Sequence, residues 1–330
     1  MKDGLFLIAM QRHRWSRSGS RSWPFGGVHR YRCQPVSSVP DQNSNRRQLL
    51  DFSDRTVVVT GTASGIGAAT LRLLLAAGAD AHALDVVYDP TSDRPTAGSG
   101  SVPGRLRTYH CDLGRQTSID ATIDLLPGRI DVIMNCAGVP NGGRFSAEQV
   151  MGINWFGLRH LTERLLPRLL PGSSIVHVAS TAGRAWADRI ELLQNLMAAV
   201  TFDQALEWFA DNELVCGDGY VISKEAVQFY TLWRSVQLLP LGIRMNSVCP
   251  GITETGLVED FRRGMGDDLI DHAAAVAGRF AHPEEMAPAM LFMADEASTS
   301  YLNGVNLNID RGTAAARLTN QSDPRAIWGS

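Results

Sequence analysis

From Arg55 onward, short apolar runs rich in β-branched residues alternate with longer stretches whose apolar positions recur at helical spacing. This alternation limits the fold more than any other feature, because strands that are apolar on both faces need helices on both sides of a parallel sheet. Thr56-Val-Val-Val-Thr60 reads as the first strand, 66–77 as a helix ended by Gly78, and 81–84 as a second strand ending at Asp85. A linker rich in Pro, Gly and Ser is expected over 89–104. Further strands are expected at 106–111, 131–136, 174–179, 243–248 and 305–309, and helices at 115–126, 147–170, 219–239 and 284–296. The expected fold class is therefore α/β, a doubly wound, seven-stranded parallel sheet in one domain over 51–312, with a C-terminal tail over 313–330.

Charge divides the 330-residue chain. Residues 1–50 carry nine basic residues against Asp3 and Asp41, a balance of +7, so the remainder carries −10 within a net charge of −3. An acidic body argues against nucleic-acid binding by the main domain. The basic segment is read by preference as a disordered N-terminal extension or a start codon assigned too early, with a transit-like or nucleic-acid-touching arm as the alternative. Of the 31 basic residues only Lys2 and Lys224 are lysines, so one lysine is kept in the whole region from 51 to 330. The five cysteines (Cys33, Cys111, Cys136, Cys216 and Cys249) are odd in number and show no C-x-x-C spacing. They suit reduced thiols in the cytoplasm better than disulfides, and no metal site is expected. No apolar run is long enough to span a membrane.

Between the first strand and first helix lies Thr60-Gly61-Thr62-Ala63-Ser64-Gly65-Ile66-Gly67. Glycines at such a turn let the backbone approach a pyrophosphate, and the positive end of the following helix attracts it. The turn makes the expected sheet a Rossmann-type dinucleotide fold, with Gly61, Ser64, Gly65, Ile66 and Gly67 as cofactor contacts. Asp85, 18 residues after Gly67, is placed to accept hydrogen bonds from ribose hydroxyls. It would repel a 2′-phosphate, so NAD is expected rather than NADP.

Tyr220 and Lys224 open a later helix, and a spacing of four sets them on one face, with Cβ atoms roughly 5–6 Å apart. A compact ammonium at that place can pass on a proton, which Arg cannot do. With these residues the chain resembles the short-chain dehydrogenase/reductase family. The resemblance runs through T-G-x-x-x-G-x-G at 60–67, Asp112-Leu113, Asn135-Cys136-Ala137-Gly138, Asn154, Ser180, Tyr220 with Lys224, and Pro250-Gly251 followed by Thr255. It implies a catalytic tetrad of Asn154, Ser180, Tyr220 and Lys224. It also implies cofactor contacts from Asp112, Leu113, Asn135, Ala137, Gly138, Tyr220, Lys224, Pro250, Gly251, Ile252 and Thr255. A tyrosine of pKa ~10 needs about 4 kcal/mol of preference for its phenolate to titrate near 7. One ammonium ~4 Å away at an effective dielectric of ~20 supplies about that much, and an oxidised nicotinamide ring adds to it. Tyr220 is then expected to exchange the substrate's hydroxyl proton, with Ser180 on the substrate oxygen and Asn154 holding a water that serves Lys224.

The chain departs from the common family pattern in the gap of 40 residues between Ser180 and Tyr220, which is much shorter in most members. The extra stretch, about 184–218, carries Ile190, Leu193, Leu196 and Met197, then Phe202, Leu206 and Phe209, and reads as two amphipathic helices. A similar insertion marks the branch containing bacterial 3α-hydroxysteroid dehydrogenase/carbonyl reductase and coniferyl-alcohol dehydrogenase. The insertion is expected either to wall an apolar substrate pocket together with a loop over 252–283 or to contact a second subunit. Trp186, Trp208 and Phe209 could face that pocket or fill the core, and the core is preferred. The resulting expectation is an NAD-dependent enzyme, a homodimer or homotetramer, interconverting a small-molecule alcohol and its ketone or aldehyde. A hydroxysteroid or aryl allylic alcohol is preferred as substrate. The alternatives are a 3-oxoacyl-thioester reductase and a non-catalytic NAD-binding scaffold or sensor.

Overall fold

The computed structural model of the chain describes residues 50–89 and 103–321. The basic N-terminal segment up to 49, most of the expected linker and the last nine residues lie outside the described residues. Seven parallel strands form one sheet: β1 (Thr56–Thr60), β2 (Asp80–Asp85), β3 (Arg105–His110), β4 (Ile130–Asn135), β5 (Leu169–Val178), β6 (Arg244–Pro250) and β7 (Asn306–Ile309). Their order across the sheet is β3-β2-β1-β4-β5-β6-β7, so the winding reverses between β1 and β4. The expected doubly wound sheet is thus observed. In such sheets the crevice outside the strands' carboxyl ends at the reversal is where ligands bind.

The central strands are apolar on both faces because both faces are covered. Val58, Ile133, Ile175 and Met245 pack into one helical layer with Trp155, Leu161 and Tyr230. Val57, Val59, Met134 and Val176 pack into the other with Leu74, Met290 and Leu291. Helices α1 (Gly65–Ala76) and α10 (Ala287–Ala294) cover the second face. The first is covered by α4 (Leu158–Leu165) and by α7 (Tyr220–Leu238), whose buried residues include Ile222, Ala226 and Tyr230.

The helix expected over 147–170 is not continuous. It consists of α3 (Ala147–Met151), a π-helical turn over Gly152–Gly157 and α4, and ends in a short 3-10 turn. A π-turn inserts one extra residue per turn and rotates the side chains that follow, a change that apolar periodicity does not encode. Asn154 lies inside this turn.

The expected insertion is present. A 3-10 segment (Thr181–Arg189) leads into α5 (Ile190–Ala198) and α6 (Phe202–Cys216), and Thr201 starts α6 with a capping box closed by Gln204. Leu193, Leu196, Phe202, Ala205 and Phe209 bury the apolar face. Arg159 of α4, itself buried, anchors the insertion by donating to the carbonyls of Met197 (2.9 Å) and Ala199 (2.6 Å) at the end of α5. Those carbonyls have no intrahelical partners, and a cation beside them also meets the negative end of the helix. Arg159→Met keeps the volume and removes the donors, so it is expected to cost about 2–3 kcal/mol. Limited proteolysis of the variant is expected to cleave first within 184–218 while the sheet remains protected.

Candidate active site

At the end of β1 the glycine-rich turn is shaped by close contacts. Gly61 has φ +70°, and a Cβ there would lie 2.6 Å from the Ala137 backbone, while a Cβ on Gly67 would lie 2.0 Å from the carbonyl oxygen of Gly61. The Thr60 hydroxyl accepts the N–H groups of Cys136 and Ala137, both at 3.1 Å, and so ties the end of β4 to this turn. Ser64 precedes α1 in extended conformation but makes no side-chain cap bond, leaving the first N–H groups of the helix for an anionic ligand. Asp85 turns back to the same turn, its carboxylate accepting from Ala63 N–H at 2.9 Å and Val87 N–H at 3.2 Å. No described cation forms an ion pair with it. Asp112 accepts Gly114 N–H at 2.9 Å and faces Arg115 at 3.4 Å.

Tyr220 is the first residue of α7, and its backbone N–H donates to Asp218 Oδ1 at 3.0 Å. One turn on, Lys224 is 4% exposed and its Nζ donates to the Val178 carbonyl at 3.0 Å. That nitrogen lies 5.8 Å from the centroid of the Tyr220 ring. Ser180 Oγ accepts Ala182 N–H at 3.1 Å and also hydrogen-bonds the Tyr220 hydroxyl. Asn154 is fully buried, its amide pairing with the Val139 backbone at 2.8 and 2.9 Å and reaching Ser223 Oγ at 3.2 Å. A Cβ placed on Gly138 would lie 3.3 Å from both Asn154 Oδ1 and Lys224 Nζ, so those two groups converge on one backbone position.

Burial governs the titration of this group. Loss of hydration pushes the Tyr220 phenol up to about 12; the Ser180 hydrogen bond opposes the shift and the nearby Asp218 charge adds to it. Lys224 is pushed down to about 8, again chiefly by burial. In the protein alone burial outweighs the ammonium, so the lowering expected of Lys224 together with an oxidised nicotinamide ring is not reached by Lys224 by itself. Removing water from a phenolate costs more than a cation 5.8 Å from its ring returns. Lys224, in contrast, can gain and lose a proton near neutral pH, which no arginine in its place would do.

A continuous cleft of about 880 Å³ joins the two ends of the site. Gly61, Ser64, Gly65, Ile66, Gly67, Asp85, Asp112, Leu113, Ala137, Gly138, Ser180, Tyr220, Lys224, Pro250, Gly251, Ile252 and Thr255 all line it. Asn135 and Asn154 do not. Asn135, expected along the cofactor, instead turns into the core between β4 and α4, donating to Thr162 Oγ1 at 3.0 Å beside His177 Nδ1, also at 3.0 Å. His177 is held near 3 by burial and by Lys224, so it stays neutral and structural. From the insertion, Phe202 and Leu206 reach the cleft, whereas Trp186, Trp208 and Phe209 pack with the core.

Sequence reasoning missed the lid contacts. Helix α8 (Val258–Met265) sends Val258, Phe261 and Met265 into the cleft, and the Phe261 ring meets Tyr220 edge to face, with centroids 5.0 Å apart. The spacing of those three residues is helical and could have shown a common face. Their neighbour Asp260 is buried under the lid and pairs with Arg144 at 3.1 Å and with Arg263. Helix α9 (Asp267–Ala277) adds Leu269, Ile270 and Ala273 to the same wall.

Comparison with known proteins agrees with this geometry. Residues 55–190 match the family model described as short chain dehydrogenase, and 209–314 match the model described as Enoyl-(Acyl carrier protein) reductase. The chain is 32% identical over 270 residues to coniferyl-alcohol dehydrogenase of Pseudomonas sp. (strain HR199 / DSM 7063), a match covering 81% of this chain and 99% of that protein. It is 27% identical over 278 residues to meso-2,3-butanediol dehydrogenase of Serratia marcescens, covering 81% and 97%. Among solved structures, 3-alpha-hydroxysteroid dehydrogenase from Pseudomonas sp. B-0831, complexed with NADH, superimposes with a TM-score of 0.64 at 26% identity, covering 80% of this chain and 98% of that one. The chain belongs to the short-chain dehydrogenase family, and it is a nucleotide-dependent oxidoreductase acting on alcohol or ketone groups.

Asp260→Ala leaves Arg144 without its carboxylate partner and frees α8, so Phe261 loses its fixed position over Tyr220. Steady-state kinetics are expected to show KM for the alcohol rising by about five- to twentyfold, about 1–2 kcal/mol and the scale of one charge-assisted hydrogen bond, with a smaller fall in kcat.

Proposed function

We propose that the chain is an NAD-dependent dehydrogenase that oxidises a bulky apolar secondary alcohol or an aryl allylic alcohol, and reduces the corresponding carbonyl, with Tyr220 as the acid/base. The observation that carries this reading is the convergence of Ser180 with the buried Tyr220 and Lys224 on a cleft that Phe202, Leu206, Phe261 and Ile270 also line.

The nucleotide end suits NAD. The glycine turn offers bare backbone and free N–H groups to a pyrophosphate, and Asp85 presents a carboxylate without an ion-pair partner among the described residues. Arg115, which could have compensated a 2′-phosphate, pairs with Asp112. Bound NAD supplies the hydride acceptor. The chain's own residues handle the proton: Ser180 holds the substrate oxygen, Tyr220 takes the hydroxyl proton, and Lys224 exchanges protons beside it. Asn154 braces the Val139 backbone and carries the line of polar groups toward Lys224.

Phe202 and Leu206 from the insertion, with Phe261, Met265 and Ile270 from the lid, favour a flat or polycyclic apolar substrate over a small polyol. The similarity to coniferyl-alcohol dehydrogenase and to 3-alpha-hydroxysteroid dehydrogenase supports the same choice. A 3-oxoacyl reductase is less well supported, since Asp85 suits NAD and the insertion lines the cleft with Phe202 and Leu206. We further read the enzyme as a cytoplasmic homodimer or homotetramer. Cys111, Cys136, Cys216 and Cys249 are all unbridged, which suits a reducing compartment.

Turnover assays with coniferyl alcohol, a 3-hydroxysteroid and an acetoacetyl thioester test the reading. One of the first two is expected to be oxidised with NAD at a kcat/KM at least about tenfold above that with NADP, the size of one like-charge penalty. Tyr220→Phe is expected to lose about a thousandfold in kcat, in line with removal of a general acid/base. Lys224→Arg keeps the charge and is also expected to lose most activity. Alcohol oxidation needs a proton acceptor, so its rate should rise as pH passes through the Lys224 value of about 8, while carbonyl reduction falls over the same interval. A flat profile, or retention of activity in Lys224→Arg, would contradict the assignment.

A further inference from the structure

The cleft is lined by five cations, and three of them are accounted for. Arg115 pairs with Asp112, Arg144 pairs with buried Asp260, and Lys224 donates to Val178. The other two, Arg184 and Arg317, have no ion-pair partner among the described residues. Arg184 stands four residues beyond Ser180, at the start of the insertion. Arg317 lies on α12 (Thr313–Leu318), which packs on the lid helix α9. Two distant parts of the chain thus bring guanidinium groups to the lining of one cavity. Partial burial lowers the Arg184 pKa most, and Arg317 lowers it further. Glu225, which draws on Arg184, is already engaged by Arg189 at 3.4 Å. Glu148 also lines the cavity, from α3.

We propose that Arg184 and Arg317 form an anion subsite, and that the preferred substrate is amphipathic, with an apolar body and a carboxylate besides the reacting carbinol. This deepens the dehydrogenase reading and rests on it for the position of the carbinol. The cavity lining supplies each part. Ser180 and Tyr220 hold the reacting oxygen, Phe202, Leu206, Phe261 and Ile270 offer an apolar wall, and the two guanidiniums supply the paired donors that a carboxylate accepts. Two like charges held together at the rim of a low-dielectric wall repel each other, and an anion between them removes that repulsion.

The test compares a 3-hydroxysteroid carrying a side-chain carboxylate with its methyl ester, and an aryl allylic alcohol carrying a ring carboxylate with its methyl ester. For the native enzyme the acid of at least one pair is expected to have a KM about tenfold below that of its ester, the scale of one charge-assisted pair. In Arg184→Gln/Arg317→Gln that preference should shrink to within about threefold. Equal KM values in both native pairs, or a preference that survives in the double variant, overturns the proposal. A rise in KM for NAD with the acid-to-ester ratio unchanged also overturns it, since it assigns the cations to cofactor phosphates. Calorimetric binding of the same acids and esters to the full chain gives a readout independent of turnover. If neither pair is turned over yet the acids bind more tightly and the double variant abolishes the difference, the dehydrogenase reading fails while the anion subsite stands.

Discussion

Lys224 carries an ammonium into a place with almost no water, and much of the molecule is arranged to make that tolerable. Its nitrogen has one close oxygen, the carbonyl of Val178 at the end of β5. The thiols of Cys136 and Cys249 are near, but burial pushes them up to about 12 and 11, so at neutral pH they are uncharged and offer no counter-ion. The lysine is therefore held below its usual range, and the tyrosine one turn away is held above its own. Each group is buried with its charged form disfavoured, and a proton can move between neighbouring polar groups at little cost in net charge.

Keeping the pair together sets the surrounding backbone. Helix α7 approaches the end of β5 so closely that a side chain on Gly183 would strike the Lys224 carbonyl, and Gly138 leaves room for both Lys224 Nζ and Asn154. The π-turn carries Asn154 to its bonds with Val139, where a continuous α-helix would have rotated it away. Arg159 then holds the inserted helices against α4, and the insertion delivers Phe202 and Leu206 to the cleft.

The sheet was legible in the chain because buried parallel strands write themselves as unbroken apolar runs; all seven expected strands appear, displaced by at most a few residues. The glycine turn, Asp85 and the Tyr220/Lys224 pair were legible because their chemistry depends on short spacings. Other features were not, for reasons that differ. The π-turn at Asn154 leaves no mark on apolar periodicity, and Asn135 turned inward because Thr162 and His177, distant in sequence, offer it partners. Lid contacts such as Phe261 on Tyr220 and Asp260 with Arg144 depend on where α8 folds back over the cleft. The titration of Tyr220 followed the same rule: a pairwise Coulomb argument places the cation correctly but omits the desolvation that only a folded interior imposes.

The central claim is that Tyr220 is a buried phenol whose ionisation is held back by desolvation in the protein alone and is eased when positive charge enters the cleft. Ultraviolet difference titration of the native enzyme against Tyr220→Phe isolates this one phenol. Without cofactor it is expected to remain protonated to strongly alkaline pH, in accord with a value pushed up to about 12, and with saturating NAD to titrate at distinctly lower pH. A Tyr220 signal that titrates near neutrality without NAD, or one that NAD leaves unmoved, would contradict the account.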